Sequence, residues 1–132
     1  MRKKRGLGSG KVNGPGGKIE PFETSLEAAV RETQEEIGVT PHSLEKRGEL
    51  SFVFTDGYSL HCTIFVAHQY SGELAETAEA LPFWISVDRI PYDEMWEDDR
   101  HWLPTVLSGR SVYGRFIFDR DRMVDYLLYS RR

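Results

Sequence analysis

The sequence predicts an α/β fold with a mixed sheet. A strong helical signal lies early, at Ser25 to Ile37, and runs of alternating apolar residues follow it. A second, shorter helical stretch then precedes a final pair of strands. Loop, helix, strands, helix and hairpin, in that order, place helices on the two faces of one sheet. With 132 residues, the chain is expected to form a single domain over 1–132 and to bury a core without staples.

Met1 to Lys18 is basic and then glycine-rich. Its glycines permit close backbone approach, as phosphates lying against main-chain N–H groups require; by composition alone the stretch also reads as a flexible leader. Thr24 with Glu27 forms a capping-box pattern, Leu26, Ala29 and Val30 supply an apolar face, and Gly38 stands where a helix ends. Glu49 to Phe54 and Tyr58 to Gln69 read as strands joined by the turn Thr55-Asp56-Gly57. Ser71 to Leu81 is an acidic loop, and Pro82 to Val87 reads as a short apolar strand before a turn through Pro91. Asp98 or Asp99 is placed to cap a helix through Leu107, with Trp102, Leu103, Val106 and Leu107 facing inward. Tyr113 to Phe118 and Met123 to Tyr129 form a hairpin over Asp119 to Arg122.

Composition excludes several function classes. Hydrophobic residues make up 39% and charged residues 29%, an ordinary globular balance. A net charge of −4 leaves no basic surplus to neutralise phosphates along a nucleic-acid duplex. The single cysteine, Cys62, excludes an internal disulfide and fits a reducing compartment; its neighbours Leu60, Ile64 and Phe65 suggest a structural thiol rather than a nucleophile. No apolar run approaches a membrane span and the start lacks a signal-peptide core, so the expectation is a cytoplasmic protein with no membrane partner.

On the first helix Glu32, Glu35 and Glu36 stand at offsets of three and four and crowd one face near its negative C-terminal end. Such repulsion is tolerated on a solvated surface, or where a cation gathers the carboxylates; oxygen donors suit Mg²⁺ or Mn²⁺ better than Zn²⁺. The full spacing runs from Gly17 through Glu23 to Arg31-Glu32-Thr33-Gln34-Glu35-Glu36-Ile37-Gly38-Val39. It resembles the Nudix box, G-x5-E-x7-R-E-U-x-E-E-x-G-U, where U is a bulky apolar residue. Every charged and glycine position agrees, and Thr33 is the one departure, at an apolar position.

The Nudix resemblance implies an α/β/α sandwich and metal-assisted hydrolysis of a nucleoside diphosphate linked to a further group. Outside the box, KKRGLGSGKVNGPGGK and WISVDRIPYDEMWEDDRHWLPTVLSG are similar to the oxidised purine nucleoside triphosphatases, the 8-oxo-dGTPase subfamily that includes the MutT-like proteins. That similarity implies a nucleoside triphosphate substrate such as 8-oxo-dGTP or 2-hydroxy-dATP, cleaved to the monophosphate and pyrophosphate in nucleotide-pool sanitation. It implies that Glu32, Glu35, Glu36 and the Gly17 carbonyl region hold Mg²⁺, and that Glu79 assists, with Glu76 as its fallback. Arg31 is expected to orient a carboxylate such as Glu23, and Lys3 and Lys18 to reach phosphate. Asn13 would bond the purine edge, Trp96 lie against the base and Asp98 and Asp99 read its polar edge, with Phe52, Phe54 and Leu7 alongside. Adjacent carboxyls in a partly dry pocket disfavour double ionisation, so one of the two aspartates can stay protonated and donate. His42, His61, His68 and His101 lack ligand spacing.

Domains of this subfamily usually begin with two apolar strands before the KKRG stretch, which here lies close to Met1. Lost strands would expose a sheet edge, and the expectation is a compromised monomer or a homodimer in which a second copy covers that edge. Two other readings stay open: a Nudix hydrolase for ADP-ribose, a dinucleoside polyphosphate or an RNA 5′ end, and a noncatalytic nucleotide-binding Nudix module.

Overall fold

Thr24 starts the first helix for a local reason. It stays extended, at φ −78° and ψ 163°, while its hydroxyl accepts from the Glu27 N–H at 3.1 Å and the Glu27 carboxylate accepts from the Thr24 N–H at 2.9 Å. This reciprocal capping box satisfies two N–H groups that would otherwise face water unpaired. At the other end Gly38 takes φ 81°, a backbone region that penalises a side chain, and its N–H donates to the Gln34 carbonyl.

The computed structural model describes residues 1–132. Its elements in chain order are β1 (Arg2–Lys3), α1 (Ser25–Ile37), β2 (Thr40–Phe54), β3 (Ser59–Ser71), β4 (Ala80–Leu81), two 3₁₀ turns (Val87–Arg89 and Tyr92–Glu94), α2 (Asp99–Leu107), β5 (Ser111–Asp119) and β6 (Arg122–Arg131). Two compact units emerge: Met1–Leu44 with Ala67–Met95, and Glu45–Val66 with Trp96–Arg132.

The first unit carries α1 and a two-stranded antiparallel sheet in which Arg2 faces Leu81 and Lys3 faces Ala80. Val12, Ala28, Ile37, Val39, Ala80 and Met95 are its buried apolar residues. The polar loop before β4 closes onto the end of α1. The Ala75 N–H donates to the Ile37 carbonyl at 3.0 Å and the Thr77 hydroxyl to the Glu36 carbonyl at 2.8 Å, satisfying carbonyls the helix leaves open.

The second unit is built on the mixed sheet, with strand order β3-β2-β5-β6. β2 runs parallel to β5 from Gly48 opposite Val112 to Phe54 opposite Phe118, and β5 runs antiparallel to β6 with an irregularity at Ile117 and Phe118. Leu50, Phe54, Val106, Val112, Phe116 and Phe118 form its core, Val106 coming from α2.

The expected α/β class with a mixed sheet is the one found, and the terminal hairpin turns at the expected residues. Three expectations are corrected. β2 begins at Thr40 rather than Glu49, because its upstream half is polar on both faces and carries no apolar alternation. Pro82 to Val87 is not a strand: pairing stops at Leu81, Phe83, Trp84, Ile85 and Val87 are exposed, and Trp84 rests on Tyr70 with ring centroids 5.0 Å apart. Asp98 occupies the N-cap position of α2 but makes no side-chain capping bond, because its carboxylate is engaged elsewhere. No helix is long and apolar enough to cross a membrane.

Candidate active site

Arg31 organises the acidic face of α1. Its Nε and Nη2 hold the two Glu23 oxygens at 2.7 and 2.9 Å, and its Nη1 reaches Glu32 at 2.8 Å and Glu35 at 3.2 Å. Nη2 also donates to the Lys18 carbonyl at 2.9 Å, tying the loop before the helix to the helix itself. The fork geometry of a guanidinium suits the two-point contact with Glu23, whose pKa falls to about 2 because of that hydrogen bond. Thr33 back-bonds to the Ala29 carbonyl at 2.7 Å, so its hydroxyl is satisfied at a position where an apolar residue was expected.

Glu36 points the other way, into the glycine turn. It is 5% exposed, and its Oε1 accepts from the Gly16 N–H at 2.8 Å. Burial raises its pKa, the charges of Glu32 and Glu79 raise it further, and the Gly16 bond and Lys3 partly offset them. Gly17 lies against the Glu32 carboxylate, so a Cβ there would push that carboxylate aside. Gly16, Gly17, Glu32 and Glu36 are thus brought together in the first unit.

The carboxylates do not, however, stand as a ready cluster of three metal ligands. The expected crowding of Glu32, Glu35 and Glu36 is relieved by Arg31, which draws Glu32 and Glu35 onto one guanidinium, and the Glu35 side chain remains 58% exposed. Glu79 is likewise held, by Arg5, which keeps its carboxyl below the usual range. Glu76 pairs with Lys4 at 2.8 Å. The residues still fit a hard divalent cation. Burial first, and then the charges of Glu32 and Glu79, raise the Glu36 pKa, a balance a cation would reverse, and all the donors are oxygen.

The remaining positions of the first unit are simply placed. The Lys3 ammonium donates to the Leu7 carbonyl at 2.6 Å, Leu7 is 48% exposed, and Asn13 is half-buried with its N–H on the Met1 carbonyl. Lys18 contributes its carbonyl to Arg31.

In the second unit Asp98 and Asp99 are buried, at 3% and 9% exposure. Asp98 Oδ2 accepts from the Trp102 indole N–H at 2.8 Å, and burial raises the Asp98 pKa as well. Burial lifts Asp99 to about 8, and the Asp98 charge and the hydrogen bond between the two carboxyls add to the shift. The pair therefore shares one proton near neutral pH, which leaves one donor and one acceptor between them. Phe54 meets Trp96 edge-on with centroids 6.0 Å apart, and Phe52 stacks on Phe116 at 5.5 Å. Burial also raises the Cys62 thiol to about 11, with Asp98 adding to the effect, as suits a structural cysteine.

Sequence reading missed three partners: the Gly16 N–H on Glu36, Arg5 on Glu79, and Trp102 as donor to Asp98 rather than core filler alone. Only the last had a local signal, an i, i+4 spacing on a helix.

The NUDIX domain profile matches residues 1–106. The chain is 43% identical over 130 residues to the oxidized purine nucleoside triphosphate hydrolase of Danio rerio, covering 96% of this chain and 82% of that one. To the Mus musculus protein of the same name it is 39% identical over 128 residues, with the same coverage. Among solved structures, the MutT protein from Bacillus halodurans aligns with a TM-score of 0.79 at 31% identity, over 86% of this chain and 79% of that one. With the box residues gathered on α1 and its glycine turn, and the profile spanning most of the sequence, the chain belongs to the NUDIX family.

Proposed function

We propose that the chain is a Mg²⁺-dependent hydrolase of oxidised purine nucleoside triphosphates, such as 8-oxo-dGTP and 2-hydroxy-dATP, releasing the nucleoside monophosphate and pyrophosphate. The observation that carries the reading is the buried Asp98–Asp99 pair. It offers one donor and one acceptor, a pattern suited to the polar edges of both oxidised bases. The relatives from Danio rerio and Mus musculus support it by their names and their coverage.

Glu32 and Glu36 are the residues that would hold Mg²⁺ or Mn²⁺, with the Gly17 carbonyl, Glu35 and Glu79 as further oxygen donors. Once bound, the cation offsets phosphate charge and polarises the phosphoryl group for attack by water. The protein's own part is positioning. Arg31, locked by Glu23, fixes where Glu32 starts from. Among Glu23, Glu32 and Glu35, Glu35 has the longest contact with Arg31 and the most exposed side chain, so it is the one of these three freest to leave the guanidinium and take a proton from water. Lys3 and Lys18 meet the phosphates. Of the residues assigned to the base, Asn13 and Leu7 belong to the first unit and Trp96, Phe52 and Phe54 to the second.

The test is kcat/KM with Mg²⁺ for 8-oxo-dGTP, 2-hydroxy-dATP, dGTP and ADP-ribose. The expected order puts both oxidised nucleotides first; ADP-ribose ahead of them refutes the substrate assignment.

A further inference from the structure

The C-terminal hairpin leaves one face of the sheet unpartnered. Val112, Phe116 and Phe118 of β5 are fully buried, whereas Tyr113, Arg115 and Ile117 alternate with them and face the other way. On β6 the matching outward residues are Asp125, Leu127 and Tyr129, with Leu127 67% and Tyr129 53% exposed. A shallow groove of about 330 Å³ lies along Tyr113, Arg115, Leu127 and Tyr129. Arg131 closes one end, with its guanidinium 5.6 Å from the Tyr113 ring centre. β6 is also the last strand of the sheet, so its outer backbone groups have no strand beside them. Between Arg122 and Arg131 it reads MVDYLLYS, rich in apolar and aromatic residues with a single charge, a composition that edge strands usually avoid.

We propose that β6 pairs antiparallel with β6 of a second copy of this chain, about a two-fold axis at Leu128. The charge pattern selects this partner and this register. With Leu128 opposite its own copy, Leu127 faces Tyr129 and Asp125 faces Arg131, each pair occurring twice by symmetry. The apolar pairs continue the outward row of β6 across the new seam, and each strand end gains an opposite-charge pair. A slip of one residue sets a solvent-facing side chain opposite a core-facing one. Moving the axis to Leu127 puts Asp125 against Tyr129 and Arg131 against Met123, so neither charge meets its opposite. Within β6 only the Leu128 register matches both face and charge. The contact is one strand wide, below the area of a standard stable interface, so the dimer is weak and concentration-dependent.

The experiment uses the full chain in sedimentation velocity from about 5 µM to about 500 µM, with Asp125→Arg, Arg131→Asp and their double variant; neither residue belongs to the catalytic or base-contacting set. Wild type is expected to shift from monomer to dimer over this range. Asp125→Arg sets Arg against Arg and Arg131→Asp sets Asp against Asp, so each alone weakens association about tenfold or more. Mixing the two single variants pairs opposite charges at both ends and restores a dimer, as does the double variant. Because misfolded chains cannot rescue each other, restoration excludes a folding defect. A wild type that stays monomeric throughout overturns the proposal. So does association that survives both single reversals, or that grows into polymers instead of stopping at two chains.

Discussion

Glu36 and Asp99 are both buried acids, but they answer to different tests. Glu36 keeps one bond to the Gly16 N–H, and its remaining capacity is set against the charges of Glu32 and Glu79. Glu36→Gln retains an acceptor for Gly16 and removes the charge. We expect kcat to fall about a hundredfold or more while the melting temperature holds or rises, measured by pyrophosphate release and calorimetry. Unchanged turnover would reject the metal assignment. Burial and the Asp98 charge keep Asp99 protonated well above the ordinary aspartate range. Between the ordinary aspartate range and about 8, the folded chain keeps a proton that the unfolded chain has lost, so stability declines as pH rises through that window. Asp99→Asn keeps a donor that cannot titrate. Its melting temperature, compared with wild type, should gain steadily from pH 5 to pH 8, and its kcat/KM on 8-oxo-dGTP should stay flatter above pH 8. A constant difference across that range would place the proton elsewhere.

The helix α1 shows why some elements are legible in sequence and others are not. Its start and stop depend on Thr24, Glu27 and Gly38, all within or beside the segment they delimit. Thr24→Ala removes the acceptor for the Glu27 N–H and should cost about 1 kcal/mol, or roughly 3–5 °C in melting temperature, with kcat at 25 °C unaltered. A change under one degree would mean that the loop closing on Glu36 and Ile37 holds the helix without its cap. The box carboxylates were legible because helical spacing fixes which face they share. What Arg31 does to that face was not, since it depends on how four carboxylates, Glu20, Glu23, Glu32 and Glu35, compete for one guanidinium. The upstream half of β2 escaped notice because Thr40 to Lys46 has no alternating apolar residues, and pairing within the sheet, not its own pattern, makes it a strand. Pro82 to Val87 misled in the opposite sense: an apolar run resembles a buried strand, yet most of it is exposed. Partners such as Arg5 and Glu79, 74 residues apart, leave no periodic trace at all.

At the scale of the molecule, the carboxylates of the first unit are balanced by Arg31 and Arg5, and the chain as a whole carries a net charge of −4. Two kinds of cation effect can therefore raise stability, and they separate cleanly. General screening of a negative chain depends on ionic strength and not on ion identity. Specific binding acts by mass action on the folded state: a divalent ion at ten times its dissociation constant adds about 1.4 kcal/mol. The prediction is a rise of several degrees in melting temperature on moving from EDTA to saturating Mg²⁺, with K⁺ at matched ionic strength giving little of it. Mn²⁺ should substitute, since it accepts the same oxygen donors. Glu36→Gln should lose most of the Mg²⁺ increment but keep the K⁺ response, because it removes a ligand while barely changing the net charge. If Mg²⁺ and K⁺ stabilise equally, or if Glu36→Gln responds to Mg²⁺ as wild type does, then Arg31 and Arg5 alone neutralise this acidic face and no divalent ion is held there.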